Sequence, residues 1–502
     1  MHYANPVIPG FYPDPSVCRA GNDYYLVTST FEYFPGVPIF HSQDLIHWRQ
    51  IGHCLTRASQ LPLAHIGSSG GIYAPTIRYH NGVFYMVTTN VSAGKHFYVT
   101  ADDPAGDWSE PIWINRDGID PSLFFDDDGK VYFTWVTRNA IHQQEIDILT
   151  GQSLTSDRLI WSGSGGRYPE APHLYKINGT YYLMIAEGGT EFGHMETIAR
   201  SDSPWGPFEP CPRNPILTHR NLGAHRIQAT GHADLIQAHD GSWWTVFLGF
   251  RCPKQYYGYH HLGRETFLAP VDWDNDGWPI VYHNGTVDEE MEANCLPPHV
   301  WEQEPDRDDF DKPILRFCWN FLRNPYPEDW SLSERPGWLR LKGSAVTLNA
   351  SDSPAFVGRR QQHFACRAAA LLDFSPQKTG DEAGLTILMN ENHHYEIGIT
   401  VRDGARWVFV RRRIGDLMAE VAGEPIPAGL VELQIQADVE HYTFSYVSGD
   451  QPPRTMLTCS ARYLSSEVAG GFTGVYIGMY ATGNGKTAAS PADFDWFDYK
   501  PL

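Results

Sequence analysis

The feature that most constrains the fold of this 502-residue chain is a motif that occurs five times in its first half. In each copy a short strand starts near a proline or aspartate, meets a glycine turn, and returns as an aromatic-rich strand. The copies begin at Asp14, Ala74, Asp120, Ala171 and Ala233, and their turn dipeptides are Gly21-Asn22, Asn81-Gly82, Asp128-Gly129, Asn178-Gly179 and Asp240-Gly241. These dipeptides predict two-residue β-hairpins, because the primed turns that join adjacent strands need positive φ angles.

The spacing of the copies predicts a β-propeller. Successive copies are 46 to 62 residues apart, which is the period of four-stranded blades with variable insertions. Five copies predict five blades. A sandwich is the structural alternative, and it explains alternating strands but not five matched hairpins.

A proline-rich acidic stretch, residues 296–313, follows the repeat and suits a domain boundary. Beyond it apolar and polar residues alternate, as in residues 429–438 and 440–447, which indicates an antiparallel sheet with one wet face. The chain is therefore predicted to be all-β. We expect a five-bladed propeller over residues 1–300 and a β-sandwich over residues 301–502.

Composition excludes several classes of function. The net charge is −21, which repels phosphate backbones and argues against nucleic acid and anionic membranes as partners. No apolar run approaches the length of a membrane helix. Eight scattered cysteines form no CxxC pair and no zinc-like spacing. The N-terminal residues have neither a basic nor an apolar segment of a signal peptide, so we expect a cytoplasmic protein with free thiols.

Three acidic residues occupy nearly matched places in the repeat. Asp14 and Asp120 directly precede the proline that marks their copies, and Glu170 lies one residue further back in its own copy. If the first strand of each blade is innermost, all three lie at one mouth of the central channel. The alternative is that each acid only caps a strand end. Two positioned carboxyls are the minimum for glycoside hydrolysis, one giving a proton to the leaving oxygen and one activating water or attacking carbon.

These residues stand in long stretches that resemble the family 43 glycoside hydrolases, specifically the two-domain β-xylosidase and α-L-arabinofuranosidase group. The stretches are NPVIPGFYPDPS, GIYAPTIRY, DGIDPSLFFDDDGKVYF, RYPEAPHLY, GHADLI and GRETFLAPVDW, with SLSERPGWLRL and DFDWFDY in the second domain. The resemblance covers nearly the whole chain. It implies an inverting mechanism on a five-bladed propeller.

The resemblance also implies roles for individual residues. Asp14 is expected to be the general base, Glu170 the general acid, and Asp120 the residue that tunes and orients Glu170. Arg264 matches a pocket arginine that binds sugar hydroxyls and favours ionised carboxylates. Substrate contacts are also expected from Phe31, Tyr73, Thr190, His232 and Phe472, the last reaching across from the sandwich to close the pocket.

His232 carries a further expectation. In some relatives the matching histidine ligates a divalent cation, so calcium in the propeller channel is one hypothesis. A hydrogen-bonded core histidine is the other. The chemistry itself is expected to need no cofactor.

The leading functional hypothesis is an exo-acting hydrolase that releases terminal β-D-xylose from short xylo-oligosaccharides and also accepts α-L-arabinofuranosides. A dedicated arabinofuranosidase and a non-catalytic sugar-binding propeller are the alternatives. The intact trio of acids argues against the binding module. The expected partner is a small oligosaccharide, and the resemblance is compatible with a homo-oligomer.

Overall fold

A computed structural model describes residues 2–254 and 258–502, and these residues are almost entirely β-structure. The described helices are single turns: Tyr282–Gly285, Ser466–Ala469 and the 3₁₀ segments Pro327–Asp329 and Ala461–Leu464. None of them has the length and apolarity that a membrane span requires.

The first half forms five antiparallel sheets in chain order, which confirms the propeller. Blade one contains Ser16–Ala20, Asp23–Val27, Gly36–Ser42 and Arg49–Leu55, and blade two contains Ile72–His80, Val83–Asn90, Lys95–Ala101 and Ile112–Ile114. Blade three contains Ile119–Phe125, Val131–Thr137, Ala140–Ile146 and Arg158–Trp161. Blade four contains Glu170–Ile177, Thr180–Glu187, Met195–Ser201, Glu209–Pro210 and Leu217–Thr218. Blade five contains Ile227–Gln237, Trp243–Arg251, Glu265–Trp273 and Pro279–Val281, and His2–Ala4 pairs with Glu290–Glu292 beside it.

The predicted two-residue hairpins are confirmed in blades one, two and four. In blades two and four Asn and Gly both have positive φ, as a type I′ turn requires. The prediction was wrong for blades three and five, where five residues separate the strands. There Gly129 and Gly241 have positive φ and donate to the carbonyls of Asp126 and Ala238, which makes a longer turn that ends on a left-handed glycine.

A β-bulge interrupts the first strand of blades two to five near its start. In each blade two residues of the first strand stand opposite one residue of the second: 74–75, 120–121, 171–172 and 232–233. The leading bulge residues Asp120, Ala171 and His232 have φ of 52°, 52° and 53°, and Asp14 in blade one has 55°. Bulges re-aim side chains and occur beside active sites. The bulges also change the alignment of the repeats. Counting back from the start of each copy would align His232 with Glu170. As the first residue of its bulge, His232 aligns instead with Asp120 and Ala171.

The middle of the channel is filled by a buried ion pair. Asp234 of blade five accepts hydrogen bonds from Ser16 Oγ (2.6 Å), Arg78 Nη1 (2.8 Å) and Tyr175 Oη (2.6 Å), which belong to the first strands of three other blades. Burial alone would raise the pKa of Asp234, but Arg78, His173 and the hydrogen bond from Ser16 together outweigh it and lower that pKa. The channel is therefore closed beneath the mouth that carries Asp14, Asp120 and Glu170.

The second half is a sandwich of two sheets around one apolar core, as predicted. One sheet has the order Trp330–Ser331, Leu339–Leu341, Ala492–Pro501, Cys366–Asp373, Val431–Ala437, His441–Ser448, Arg454–Ser460, with Arg307–Asp308 paired to Ala492–Pro501. The other has the order Ala355–Arg360, Tyr476–Thr482, Glu382–Asn390, His393–Arg402, Ala405–Ile414, Leu417–Pro425. The alternating residues pair as apolar partners, for example Ile435 with Phe444.

The two domains are joined by backbone strand pairing and by hydrogen bonds from buried arginine side chains. Phe321–Leu322 of the second half pairs with Tyr33–Phe34 of the propeller. Arg360 of the sandwich is 2% exposed and donates to the Phe11 carbonyl (2.6 Å). Because such buried donors are costly to leave unpaired, this interface holds the sandwich in a fixed position against the pocket mouth.

Candidate active site

Asp14 lies buried at the channel mouth, held by groups from blade five and from its own blade. Ser29 Oγ donates to its Oδ2 (2.5 Å) and Arg264 Nη1 to its Oδ1 (2.7 Å), while His232 Nδ1 lies 3.7 Å from Oδ1. Burial alone would raise the pKa of this carboxyl, but Arg264, His232 and Ser29 outweigh it, so the pKa lies below its ordinary value. Asp14 is therefore an ionised carboxylate near neutral pH.

Arg264 precedes the third strand of blade five and connects three parts of the site. Besides Asp14, its Nη1 donates to Thr190 Oγ1 (3.1 Å), and its Nη2 donates to the backbone carbonyl of Phe472 (3.2 Å). Its side chain is nearly buried. The guanidinium therefore links the base candidate, a blade-four loop and the sandwich.

Asp120 lies near Glu170 and is held by the backbone beside it. The backbone N–H of Ala171, the residue after Glu170, donates to Asp120 Oδ2 (3.2 Å). Burial raises the pKa of Asp120 well above its ordinary value, and the nearby charges of Glu170 and Asp14 raise it further. Asp120 is therefore the member of the acidic trio that holds a proton most readily.

Three aromatic rings form one wall of the site. The rings of Phe31 and Tyr73 lie 4.9 Å apart, and Phe472 stacks on Phe31 at 6.1 Å and meets Tyr73 at 6.0 Å. Phe472 is 40% exposed, and its N–H donates to Ser69 Oγ of the propeller (2.8 Å). The sandwich thus supplies one side of the pocket mouth.

A cavity of about 460 Å³ opens beside this wall. It is lined by Ile119, Val136, Asn139, Tyr168, Pro169, Glu170, Gly189, Thr190, Glu191 and Phe472. Glu170, whose side chain is 17% exposed, is the one member of the acidic trio among them. The volume of the cavity is in the range of small-molecule binding sites.

His232 lies on the floor of the site, 7% exposed. Burial lowers its pKa, so the ring is neutral near pH 7. The described residues contain no group of three or more His, Cys, Asp or Glu side chains that could hold a metal ion. Asp14, the nearest acid, is already bonded by Arg264 and Ser29. The residues around His232 therefore do not fit a protein-held cation.

Sequence reasoning missed Ser29 and two buried residues beneath the acids. His194 donates from Nδ1 to the Ala229 carbonyl (3.1 Å), and its Nε2 lies 3.4 Å from Glu170 Oε1. Glu196 accepts from the Ala233 N–H (3.0 Å), and burial raises its pKa well above the ordinary value. No sequence pattern marks these residues, because polar side chains such as Thr197 and Arg200 are also common in the strand Met195–Ser201.

The arrangement suits acid–base chemistry on a neutral substrate. It places the ionised carboxylate of Asp14, the proton-holding carboxyl of Asp120 and the cavity-lining Glu170 at one channel mouth, with an arginine and aromatic rings beside them. That combination can bind hydroxyl groups, stack on a sugar ring and transfer protons on two sides of one bond.

Comparison with known proteins gives the family. The family model described as "Glycosyl hydrolases family 43" matches residues 3–279, and the one described as "Beta xylosidase C-terminal Concanavalin A-like domain" matches residues 307–500. Both matches agree with the resemblance read from the motifs.

The relatives match over the full length. The "Non-reducing end alpha-L-arabinofuranosidase BoGH43B" of Bacteroides ovatus is 49% identical over 507 residues, covering 100% of this chain and 95% of its own. The "Xylosidase/arabinosidase" of Butyrivibrio fibrisolvens is 41% identical over 514 residues, covering 98% of each. The solved structure "Bacteroides ovatus Xyloglucan PUL GH43B" has a TM-score of 0.97 and 48% identity, and each chain is covered completely. This chain therefore belongs to glycosyl hydrolase family 43 and is a glycoside hydrolase.

Proposed function

We propose that this protein is an exo-acting, inverting glycoside hydrolase that releases terminal β-D-xylose from xylo-oligosaccharides and also terminal α-L-arabinofuranose. The observation that carries the proposal is the opposite tuning of the acids at one pocket. The pKa of Asp14 lies below its ordinary value, whereas that of Asp120, beside Glu170, lies well above. An inverting hydrolase needs one carboxylate ionised and one carboxyl protonated at the same pH.

Asp14 takes the role of general base. Its Oδ2 and Oδ1 are fixed by Ser29 and Arg264, so the carboxylate is oriented before substrate arrives. It removes a proton from a water molecule, which attacks the anomeric carbon. Inversion requires room for that water, so the base and acid carboxyls are expected about 6.5–9.5 Å apart.

Glu170 takes the role of general acid. Glu170 rather than Asp120 is placed to give a proton to a substrate, because Asp120 is 6% exposed and Glu170 lines the cavity. Glu170 gives that proton to the leaving oxygen as the glycosidic bond breaks. Asp120 and the Ala171 N–H act through Glu170 by holding it in place.

The closed channel supports exo action. The Asp234–Arg78 pair fills the channel below the site, and Phe472 stands at the mouth. A chain end can enter such a pocket, whereas the middle of a polymer cannot pass through it. Arg264, Thr190 and the wall of Phe31 and Tyr73 are placed to bind the terminal sugar.

A dedicated arabinofuranosidase is the second candidate, and one observation favours it. The relative that is 49% identical over the whole chain is named a non-reducing end α-L-arabinofuranosidase. The relative that is 41% identical is named for both activities, which supports a protein that cleaves both kinds of sugar. A non-catalytic sugar-binding propeller has less support, because all three acids are present.

Proton NMR of the first turnovers on xylobiose tests the proposal. Early α-xylose is expected, and early β-xylose would refute inversion and make a nucleophile of one carboxyl. An α-L-arabinofuranoside is tested in parallel: cleavage of this substrate alone supports the second candidate. Cleavage of neither substrate by the wild type, with both still bound, favours the binding module. Glu170→Gln serves as the matched control.

A further inference from the structure

We propose that Glu32 is a positioning residue for the pocket that binds the terminal sugar. Its buried carboxyl holds the backbone of Ser69, and Ser69 in turn holds Tyr73 and Phe472, one aromatic residue from each domain. The inference rests on the proposed function, because it takes the three aromatic rings of the site as contacts of the terminal sugar. It goes beyond that function by assigning a buried carboxyl that the acid–base chemistry does not use.

Three hydrogen bonds meet at Ser69. Its backbone N–H donates to Glu32 Oε2 (2.9 Å), its carbonyl accepts from Tyr73 Oη (2.8 Å), and its Oγ accepts from the backbone N–H of Phe472 (2.8 Å). The rings of Tyr73 and Phe472 lie 6.0 Å apart. Because the propeller supplies one ring and the sandwich the other, the position of Ser69 sets how the two rings meet.

The third ring, Phe31, is tied to the same segment. Phe31 directly precedes Glu32, has a φ of 51°, which is rare for an aromatic residue, and exchanges backbone hydrogen bonds with Ile72 (2.9 and 3.1 Å). The two segments approach closely, since a Cβ added to Gly71 would lie 2.3 Å from the Phe31 carbonyl oxygen. Residues 31–32 and 69–72 are therefore joined twice, by this backbone bridge and by the Glu32 side chain.

The carboxyl of Glu32 is costly to bury. The residue is fully enclosed, and its Oε1 has no hydrogen-bond partner among the residues that the structure describes. Burial raises the pKa of Glu32 to about 7, although the hydrogen bond from Ser69 and the charge of Arg323 oppose the rise. A buried carboxyl with one oxygen unbonded lowers stability rather than adding to it. The place of Glu32 is explained instead by the geometry that it imposes on Ser69.

Glu32 also lies where the two domains meet. Its carbonyl accepts from the backbone N–H of Arg323 (2.8 Å), next to the pairing of Tyr33–Phe34 with Phe321–Leu322. The Arg323 side chain donates from Nε to the Ile66 carbonyl (2.5 Å). The sandwich and Glu32 therefore both hold the segment 66–69, which fixes Ser69 between the domains.

Steady-state kinetics on 4-nitrophenyl β-D-xyloside test the inference. Glu32→Ala should raise KM about two- to tenfold, the range that one hydrogen bond supplies, with a much smaller change in kcat. Glu32→Gln should rescue most of the loss, because its amide oxygen can still accept from the Ser69 N–H. The acidic limb of the pH profile should not move, since Ser29 and Arg264 hold Asp14. An unchanged KM in Glu32→Ala, or an equal rise in Glu32→Gln, would overturn the inference.

A double-variant cycle tests the route through Ser69. Ser69→Gly removes the side chain that binds Phe472, and glycine suits the φ of 62° at this position. If Glu32 acts through Ser69, the double variant with Glu32→Ala should raise KM by clearly less than the product of the two single effects. A KM equal to that product would refute the route. Ser69→Gly alone should also raise KM, which gives a second measurement if Glu32→Ala folds poorly, and an unchanged KM there would overturn the inference.

Asp493→Ala is the matched control for loss of a buried carboxyl. Asp493 is 5% exposed and accepts from Arg335 (2.8 Å) and Arg340 (2.7 Å) in the sandwich sheet that contains Ala492–Pro501. Its loss should lower the thermal midpoint and leave KM unchanged. If Asp493→Ala raises KM as much as Glu32→Ala does, the effect is a general loosening of the fold and the inference fails.

Titration calorimetry with xylose and L-arabinose separates this inference from the proposed function. Wild-type protein that cleaves neither β-D-xylosides nor α-L-arabinofuranosides would refute the proposed function. Weaker sugar binding by Glu32→Ala, with binding restored in Glu32→Gln, would still support the positioning role. Sugar binding that is the same in Glu32→Ala and the wild type would overturn that role whatever the activity.

Discussion

Replacing Arg264 by glutamine should shift the acidic limb of the pH–activity profile to higher pH. Asp14 must be ionised to act as a base, and its pKa is held below the ordinary value against the effect of burial. Arg264 is the largest of the groups that lower it, through a 2.7 Å hydrogen bond. Without the guanidinium the pKa of Asp14 rises, so activity is lost at a higher pH as the solution is acidified.

The size of the shift follows from the geometry. Unit charges about 4 Å apart interact by about 4 kcal/mol at an effective dielectric constant near 20. At about 1.36 kcal/mol for each pKa unit, this sets a ceiling near three units. His232 and Ser29 remain in place, so we expect a shift of about one to three units.

The assay is kcat/KM on 4-nitrophenyl β-D-xyloside from pH 4 to 9, about the range in which the free enzyme's acid and base titrate. Arg264→Lys is the matched control, since it keeps a positive charge and should shift the limb less than glutamine does. A glutamine variant whose profile is lower at every pH but has an unmoved acidic limb would refute the reasoning. Arg264 would then serve substrate binding alone.

Three further predictions concern other parts of the molecule. Glu170→Gln should lose about 10²- to 10⁴-fold in kcat on xylobiose but much less on a 2,4-dinitrophenyl xyloside, whose leaving group needs no proton; equal losses would contradict its role as the acid. Phe472→Ala should raise KM several-fold with an unchanged thermal midpoint, because the side chain is 40% exposed and the bond to Arg264 comes from its backbone carbonyl; a normal KM would place the ring outside the substrate site. Arg78→Met should destabilise the propeller by about 3–5 kcal/mol in denaturant unfolding, because it leaves the buried Asp234 charge without its partner; a change below 1 kcal/mol would show that Asp234 is protonated or solvated in the variant.

Several features could be read from residues alone because they depend on local chemistry. Asn-Gly turns at Asn81 and Asn178 need positive φ, so they mark hairpins wherever they occur. Alternating apolar and polar residues around Ile435 and Phe444 indicate a sheet with one buried face. The family motifs singled out Asp14, Asp120 and Glu170 as the candidate acids. A further family motif singled out Arg264.

Other features depend on contacts between distant residues. The ionised state of Asp14 is set by Arg264, which is 250 residues away in the chain. The equivalence of His232 with Asp120 appears only when strand pairing locates the bulges. Ser29 and His194 belong to no motif that marks them, and only the packing shows their contacts with the acids.

The sequence by itself determined the number of blades and the sandwich and singled out the three candidate acids, because turns, alternation and motifs are local patterns. Only the tertiary structure decided which acid is ionised, how the channel is closed by Asp234, and which acid lines the cavity. The reason is that pKa values and pocket shape are set by burial and by charges brought together through folding, and these distances are not encoded in any short stretch of the chain.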